Sequence, residues 1–187
     1  MSTIQIKGEH VLFNQMKAKL VHKGPLFLRL PLKMTPFIVK KRVIEQLMGW
    51  QFRQALADGE LDFLEGRTLK IEVRDLALSW SISLIQGRLV VNNSEDAEVT
   101  FSGDTNDLIL IAARKEDPDT LFFQRRLIIE GDTELGLFVK NLMDSIDLDT
   151  MPAPLRIALM QLASFVESGL NEDAGGDDRV SMHANQN

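Results

Sequence analysis

Few residues in this chain have the types and spacing that chemistry requires. His10, His22 and His183 lie far apart, and no two have the spacing of a metal site. The chain has no cysteine, which removes disulfides, thiolate nucleophiles, iron–sulfur ligation and cysteine-based zinc sites, and fits a reducing compartment. A serine or threonine nucleophile needs a base within reach, and none of the three histidines stands in a motif that presents one. Two carboxylate pairs, Asp117 with Asp119 and Glu130 with Asp132, are close enough for acid–base work. Turn and helix-cap positions explain both pairs adequately. Gly103, Gly131 and Gly136 do not compose a phosphate-binding loop. The sequence therefore points away from catalysis, and no cofactor or metal is expected.

Charge is distributed unevenly. The net charge is −6, yet residues 1–56 hold ten basic side chains against only Glu9 and Glu45, so the remainder of the chain is strongly acidic. A basic head on an acidic body suggests an anionic partner such as a membrane surface, a nucleic acid or an acidic protein. Attraction between the two halves of one folded molecule is the plainer alternative. Lys23, Arg29 and Lys33 stand among Phe27, Leu28, Leu30 and Leu32, the composition of an interfacial anchor whose cations meet phosphate headgroups. Lys40, Lys41 and Arg42 add to this set near a helix N-terminus, where the macrodipole disfavours cations. Those leucines could equally close over the domain and leave the lysines solvated. Nucleic-acid binding is disfavoured, because the polar strand faces carry Glu72, Ser79, Ser81 and Glu98 rather than exposed aromatic residues.

With 187 residues, 44% apolar and 26% charged, the chain suits one substantial domain with extensions. No apolar run approaches the roughly 18 residues of a membrane span, and the first residues lack a secretory leader pattern, so the expected location is cytoplasmic. An amphipathic helix is expected over 11–20, followed by a segment in which Gly24, Pro25 and Pro31 break any long helix. Thr35 as N-cap and Pro36 at the first helical position open a helix that should run to about Ala57 and stop at Asp58-Gly59. Its stripe of Val39, Val43, Leu47 and Trp50, widened by Ile44 and Met48, should face a core.

Alternation then announces strands. Leu69, Ile71 and Val73 oppose Lys70, Glu72 and Arg74, and Leu78, Trp80, Ile82 and Leu84 oppose Ser79, Ser81 and Ser83, predicting a sheet with one wet face. Gly87 and Arg88 are placed in a turn before Leu89–Val91, and Asn92, Asn93 and Ser94 turn the chain into Val99–Ser102. Asp104, Asp117 and Asp132 are read as caps of three successive helices, with one strand, Leu127–Glu130, before the last of them. A further helix, apolar over more than half its circumference, should run from about Leu155 to Glu167, and disorder is expected from Asn171. The order predicts an α+β fold: a five-stranded antiparallel sheet, mostly a meander, with helices on one face.

The motif Ser102-Gly103-Asp104 with Asp107-Leu108 is followed by a long run of matching positions. These are Asp117-Pro118-Asp119-Thr120-Leu121-Phe122-Phe123-Gln124-Arg125-Arg126-Leu127-Ile128-Ile129-Glu130-Gly131-Asp132-Thr133-Glu134-Leu135. In spacing and order they resemble the sterol-carrier-protein-type lipid-binding domain, over residues 35–148. Members of that family often have glycine where this chain has Arg125. Three further stretches, Glu45-Gln46-Leu47-Met48-Gly49-Trp50-Gln51-Phe52-Arg53-Gln54-Ala55-Leu56, Asp58-Gly59-Glu60-Leu61 and Phe63-Leu64-Glu65-Gly66-Arg67, are similar to a bacterial branch of the family. Members of that branch are accessory factors of anaerobic ubiquinone biosynthesis.

The resemblance implies helices and sheet enclosing an apolar cavity for a lipid or isoprenoid quinone, and partners in the oxygen-independent pathway, the UbiU and UbiV proteins. It divides the chain into a basic and apolar extension (1–34), the lipid-binding domain (35–148), an apolar helix (149–170) and a tail (171–187). Candidate cavity walls free of ionisable groups are Trp80, Ile82, Phe101, Leu108, Ile111, Phe122, Phe123, Phe138 and Leu142. The same residues could simply fill the interior. The implied function is a non-enzymatic carrier that presents ubiquinone precursors, peripheral at the inner membrane. The alternatives are a general phospholipid carrier and a membrane-associated scaffold without a ligand. The apolar helix after Met151 is compatible with burial, a homodimer seam or bilayer contact.

Overall fold

A computed structural model describes residues 19–21, 23–25, 27, 29–145 and 147–183, with backbone alone from 172 onward. The expected helix over 11–20 lies almost wholly outside these residues, as does Ile146. Every described residue between 19 and 34 is helical, including Gly24, Pro25 and Pro31, where the sequence predicts breaks. Tertiary contact outweighs the proline penalty here. Val21 is 3% exposed and presses on the long C-terminal helix, where a Cβ on Gly169 would lie 2.4 Å from Val21 Cγ2. Asn106 Nδ2 donates to the Val21 carbonyl at 3.1 Å.

Helix α1 (Phe37–Gln51) begins with Pro36 as its cap residue, and the Thr35 hydroxyl points backward, donating to the Pro31 carbonyl at 2.9 Å. Phe52, at φ −100° and ψ 17°, interrupts the predicted single helix, so α2 (Arg53–Ala57) is a separate turn, closed by Gly59 at φ +74°.

The sheet contains β1 (Leu69–Val73), β2 (Leu78–Ile85), β3 (Arg88–Asn92), β4 (Val99–Gly103) and β5 (Ile128–Gly131) in the order β3-β2-β1-β4-β5. The β2–β3 loop is Gln86 and Gly87, both at positive φ (51° and 70°), as a two-residue hairpin turn requires. The meander expectation fails at the next connection. Strand β4 pairs with β1 in parallel, Ile71 opposite Phe101, so the sheet is mixed rather than antiparallel. Residues 93–98 cross the polar face to reach the far side of β1. Extended, they span about 20 Å, enough for the roughly 14 Å of three strand spacings.

Hydrogen bonds fix this crossing. The Ser81 hydroxyl donates to the Asn92 and Ser94 carbonyls (3.3 and 3.2 Å) and accepts from Ser94 N–H, Lys70 pairs with Glu95, and Glu98 N–H donates to the Thr68 carbonyl at 3.0 Å. The face expected to be wet is therefore partly roofed, and Ser81 is wholly buried.

The apolar face carries the main core, in which Leu61, Val99, Phe101, Leu121, Leu127 and Leu135 are almost inaccessible to solvent. Helices α3 (Thr105–Ala112), α4 (Pro118–Phe123) and α5 (Thr133–Ser145) follow β4 and β5. Asp117 and Asp132 cap as their sequence positions predict, Asp132 Oδ1 accepting from Leu135 N–H at 2.7 Å. Asp104 does not. Its carboxylate takes Arg74 Nε at 3.1 Å, and Asp75, from the β1–β2 turn, accepts from both the N–H and the hydroxyl of Thr105 (3.0 and 2.7 Å). A second core forms where α3 meets α6 (Ala153–His183), joining Val21, Leu110, Ala113, Ala163 and Val166. The backbone of α6 continues past Glu167 and Asn171, where the sequence predicts an end and a disordered tail.

Gly131 closes β5 at φ +111°, and a Cβ there would sit 2.1 Å from the Glu98 carbonyl oxygen, which also accepts from Asp132 N–H at 2.8 Å. Gly131→Ala should cost roughly 3 kcal/mol of unfolding free energy, because it combines a forbidden conformation with a backbone clash. Denaturant titration of the variant, with the midpoint well below wild type, checks this.

Candidate functional site

The stripe of α1 expected to face a core faces outward. Val39, Val43, Leu47 and Trp50 are 37–52% exposed, and α1 has no buried residue at all. Its inner side reaches the sheet through partly buried Met48, and Glu45 ties it to the edge strand. Val91 N–H, on edge strand β3, donates to Glu45 Oε1 at 2.9 Å, while Lys41 Nζ lies 3.5 Å from the same oxygen. A helix thus covers the sheet edge that would otherwise offer free backbone amides, but it does so loosely.

Between α1 and β2 the structure leaves an apolar groove of about 320 Å³. Phe37, Val39, Val43 and Ile44 line its helix side, Leu78, Ser79 and Trp80 its strand side, and Leu32 and Thr35 its end, with Lys40 at the rim. A second hollow, sharing Val43 and lined by Gln46, Leu47, Gly49 and Trp50, continues along the exposed side of the helix. Phe27, Leu30, Met34 and Ile38, all more than half exposed, precede it in the chain. The apolar surface expected inside the domain is therefore largely outside, along one helix and the segment leading into it.

The nine predicted wall residues are not brought together around one space. Trp80 lines the groove. Ile82, Phe101 and Ile111 are buried in the main core, with Leu108 and Leu142 packed against it. Phe138 is 42% exposed and stacks on Phe63 at 5.3 Å between ring centroids, while Phe122 and Phe123 meet edge to face at 6.0 Å, Phe123 being 82% exposed. Among the predicted cations, Lys23, Lys33 and Arg42 are exposed and Arg29 is partly so. Lys40 is partly buried, its Nζ donating to the Leu32 carbonyl at 3.4 Å. Leu32, Phe37, Val39, Val43, Ile44 and Leu78 are groove residues that the sequence reading missed as a site. Their signal was present in the helical spacing of the valines, but periodicity alone does not say whether an apolar stripe meets protein or an open groove.

Electrostatic perturbation lies elsewhere. The hydrogen bond it donates to Asp119 holds the Lys140 ammonium above the ordinary lysine range, their atoms 2.8 Å apart, and Glu95 does the same for Lys70. Neither lysine lines the groove. The first pair ties α4 to α5 and the second pins the crossing connection. Among the described residues no cluster of histidines and carboxylates could hold a metal ion, and no helix is long and apolar enough to cross a membrane.

The chain belongs to the SCP-2 sterol transfer family, whose model matches residues 46–144. It is 59% identical over 159 residues to the ubiquinone biosynthesis accessory factor UbiT of Escherichia coli strain K12, covering 85% of this chain and 91% of that protein. Two solved structures are also similar. The UbiJ-SCP2 ubiquinone synthesis protein has a TM-score of 0.49 at 21% identity over 58% of this chain and 97% of its own. The sterol carrier protein domain 2 of Helicoverpa armigera has 0.43 at 20% identity over 56% and 83%.

Because Glu45 ties α1 to β3, Glu45→Ala should free the helix from the edge strand. The expected loss is about 2 kcal/mol, typical of a hydrogen bond to a charged group. Hydrogen exchange at the Val91 amide should quicken strongly, while amides of β1 and β4 keep their protection.

Proposed function

We propose that this protein is a non-enzymatic carrier of isoprenoid lipid, acting as an accessory factor that presents hydrophobic ubiquinone precursors in the oxygen-independent pathway, with UbiU and UbiV among its partners. The observation that carries the reading is the groove of about 320 Å³ between α1 and Trp80. That volume falls at the lower end of small-molecule sites, and the lining is mainly apolar. The 59% identity to a ubiquinone biosynthesis accessory factor supports the pathway. Burial of a prenyl or acyl tail gains about 0.8 kcal/mol per methylene-sized unit, so an open groove continued along the outer side of α1 is adequate for a tail to be held.

Residues 20–42 are read as the membrane-facing part of the same device. Phe27, Leu30, Met34 and Ile38 are exposed apolar groups, and Lys23, Lys33 and Arg42 are exposed cations interleaved with them. An amphipathic surface of this kind lies in a headgroup layer with its cations on lipid phosphates, which would bring the groove to the source of its cargo. A ligand-free scaffold is the second reading, favoured by Leu155, Ile157 and Leu162, which stand 37–54% exposed on α6.

Two measurements test these statements. Organic extraction or native mass spectrometry of the purified protein should release lipid or quinone, and Val43→Asp should abolish that cargo with the far-UV spectrum unchanged. Wild-type protein free of any lipid would favour the scaffold. Charge reversal of Lys23, Lys33 and Arg42 should weaken sedimentation with anionic vesicles by at least about tenfold, at about 1 kcal/mol per cation. Equal retention on anionic and neutral vesicles by the wild type would remove the electrostatic role.

A further inference from the structure

Trp80 holds the one buried side-chain polar atom, among the described residues, that has no hydrogen-bond partner, its indole Nε1. A donor left unpaired in an apolar setting is unfavourable, and natural structures keep very few of them. This one belongs to a residue that lines the groove. Other polar groups there can also donate. Lys40 Nζ, with three hydrogens to give, has only the long 3.4 Å contact to the Leu32 carbonyl, and the Ser79 hydroxyl can donate as well. No carboxylate is among the lining residues, and the Trp80 donor has no partner.

Resting on the carrier reading, we infer that Trp80 Nε1 and Lys40 Nζ form a head-recognition site for an amphiphile that carries acceptor oxygens at the end of an apolar tail. A quinone carbonyl, a phenolate or carboxylate on a prenylated ring, and a lipid phosphate all share that chemistry. The tail lies along Val39, Val43 and Leu47, and the head turns inward. Nε1 is closed to solvent, so the head reaches it only if the groove wall yields. Helix α1 has the means to yield, having no buried residue and a break at each end, at Pro36 and Phe52. A hydrocarbon without oxygens gains the tail contacts but leaves both donors unanswered, so the site discriminates by head.

The test compares three probes on the full chain: a short-chain prenylated benzoquinone, the isoprenoid hydrocarbon of equal chain length, and a lysophospholipid. Trp80→Phe keeps an apolar wall and removes the donor. It should weaken binding of at least one oxygen-bearing probe about 5–10-fold, the worth of a hydrogen bond, and leave hydrocarbon affinity within about twofold. Lys40→Gln, at the rim where folding is not at stake, should show the same selectivity, and Lys40→Arg should restore it. Loss on the quinone alone assigns the site to a ring head, and loss on the lysophospholipid alone assigns it to a phosphate. If both variants bind all three probes as the wild type does, the head site is refuted while the carrier reading stands. If the wild type binds none of the probes, the carrier reading falls and the head site with it.

Discussion

The parallel pairing of β1 with β4 is the constraint on which the rest of the molecule depends. It needs a connection that runs across the sheet rather than back along it, and residues 93–98 supply one, fastened by Ser81, Lys70 and Thr68. Once β4 lies beside β1, β5 must take the outer position next to it. The helices that follow these two strands then cover the apolar face on that side. The opposite edge, β3, is left to α1, which reaches it through Glu45 and seals it without sinking into the core. The groove exists because one helix must cover an edge and a face at once.

This division separates a solid half from a yielding half. On the β4–β5 side Phe101, Leu121, Leu127 and Leu135 are close to fully buried, and Arg126 and Asp107 pair at the border of the two cores. On the β3 side no residue of α1 is buried, and apolar side chains stand in the open from Phe27 to Trp50. Apolar surface exposed on that scale is uncommon in a monomer unless something binds it. The solid core and the open groove are thus located on different elements, so loosening α1 need not unfold the domain.

Arg125 shows how family pattern and physics meet. It adopts φ +59°, the left-handed conformation that glycine occupies without steric cost, at the position where the family resemblance leads one to expect glycine. The turn between α4 and β5 is required by the fold, so this chain accepts a strained residue rather than a different turn. Arg125 N–H donates to the Phe122 carbonyl at 3.0 Å, one of the bonds that hold the turn in place.

Local chemistry determined much from the sequence alone. Alternation located the strands to within about a residue at most ends, and Asp117 and Asp132 announced their caps. These features depend on neighbours along the chain. Tertiary structure alone decided that β4 runs parallel to β1, that Asp75 rather than Asp104 caps α3, that prolines 25 and 31 lie in helix, and that the valine stripe of α1 faces a groove. Each of those outcomes is settled by a partner distant in sequence, and periodicity records that a face is apolar without recording what lies opposite it.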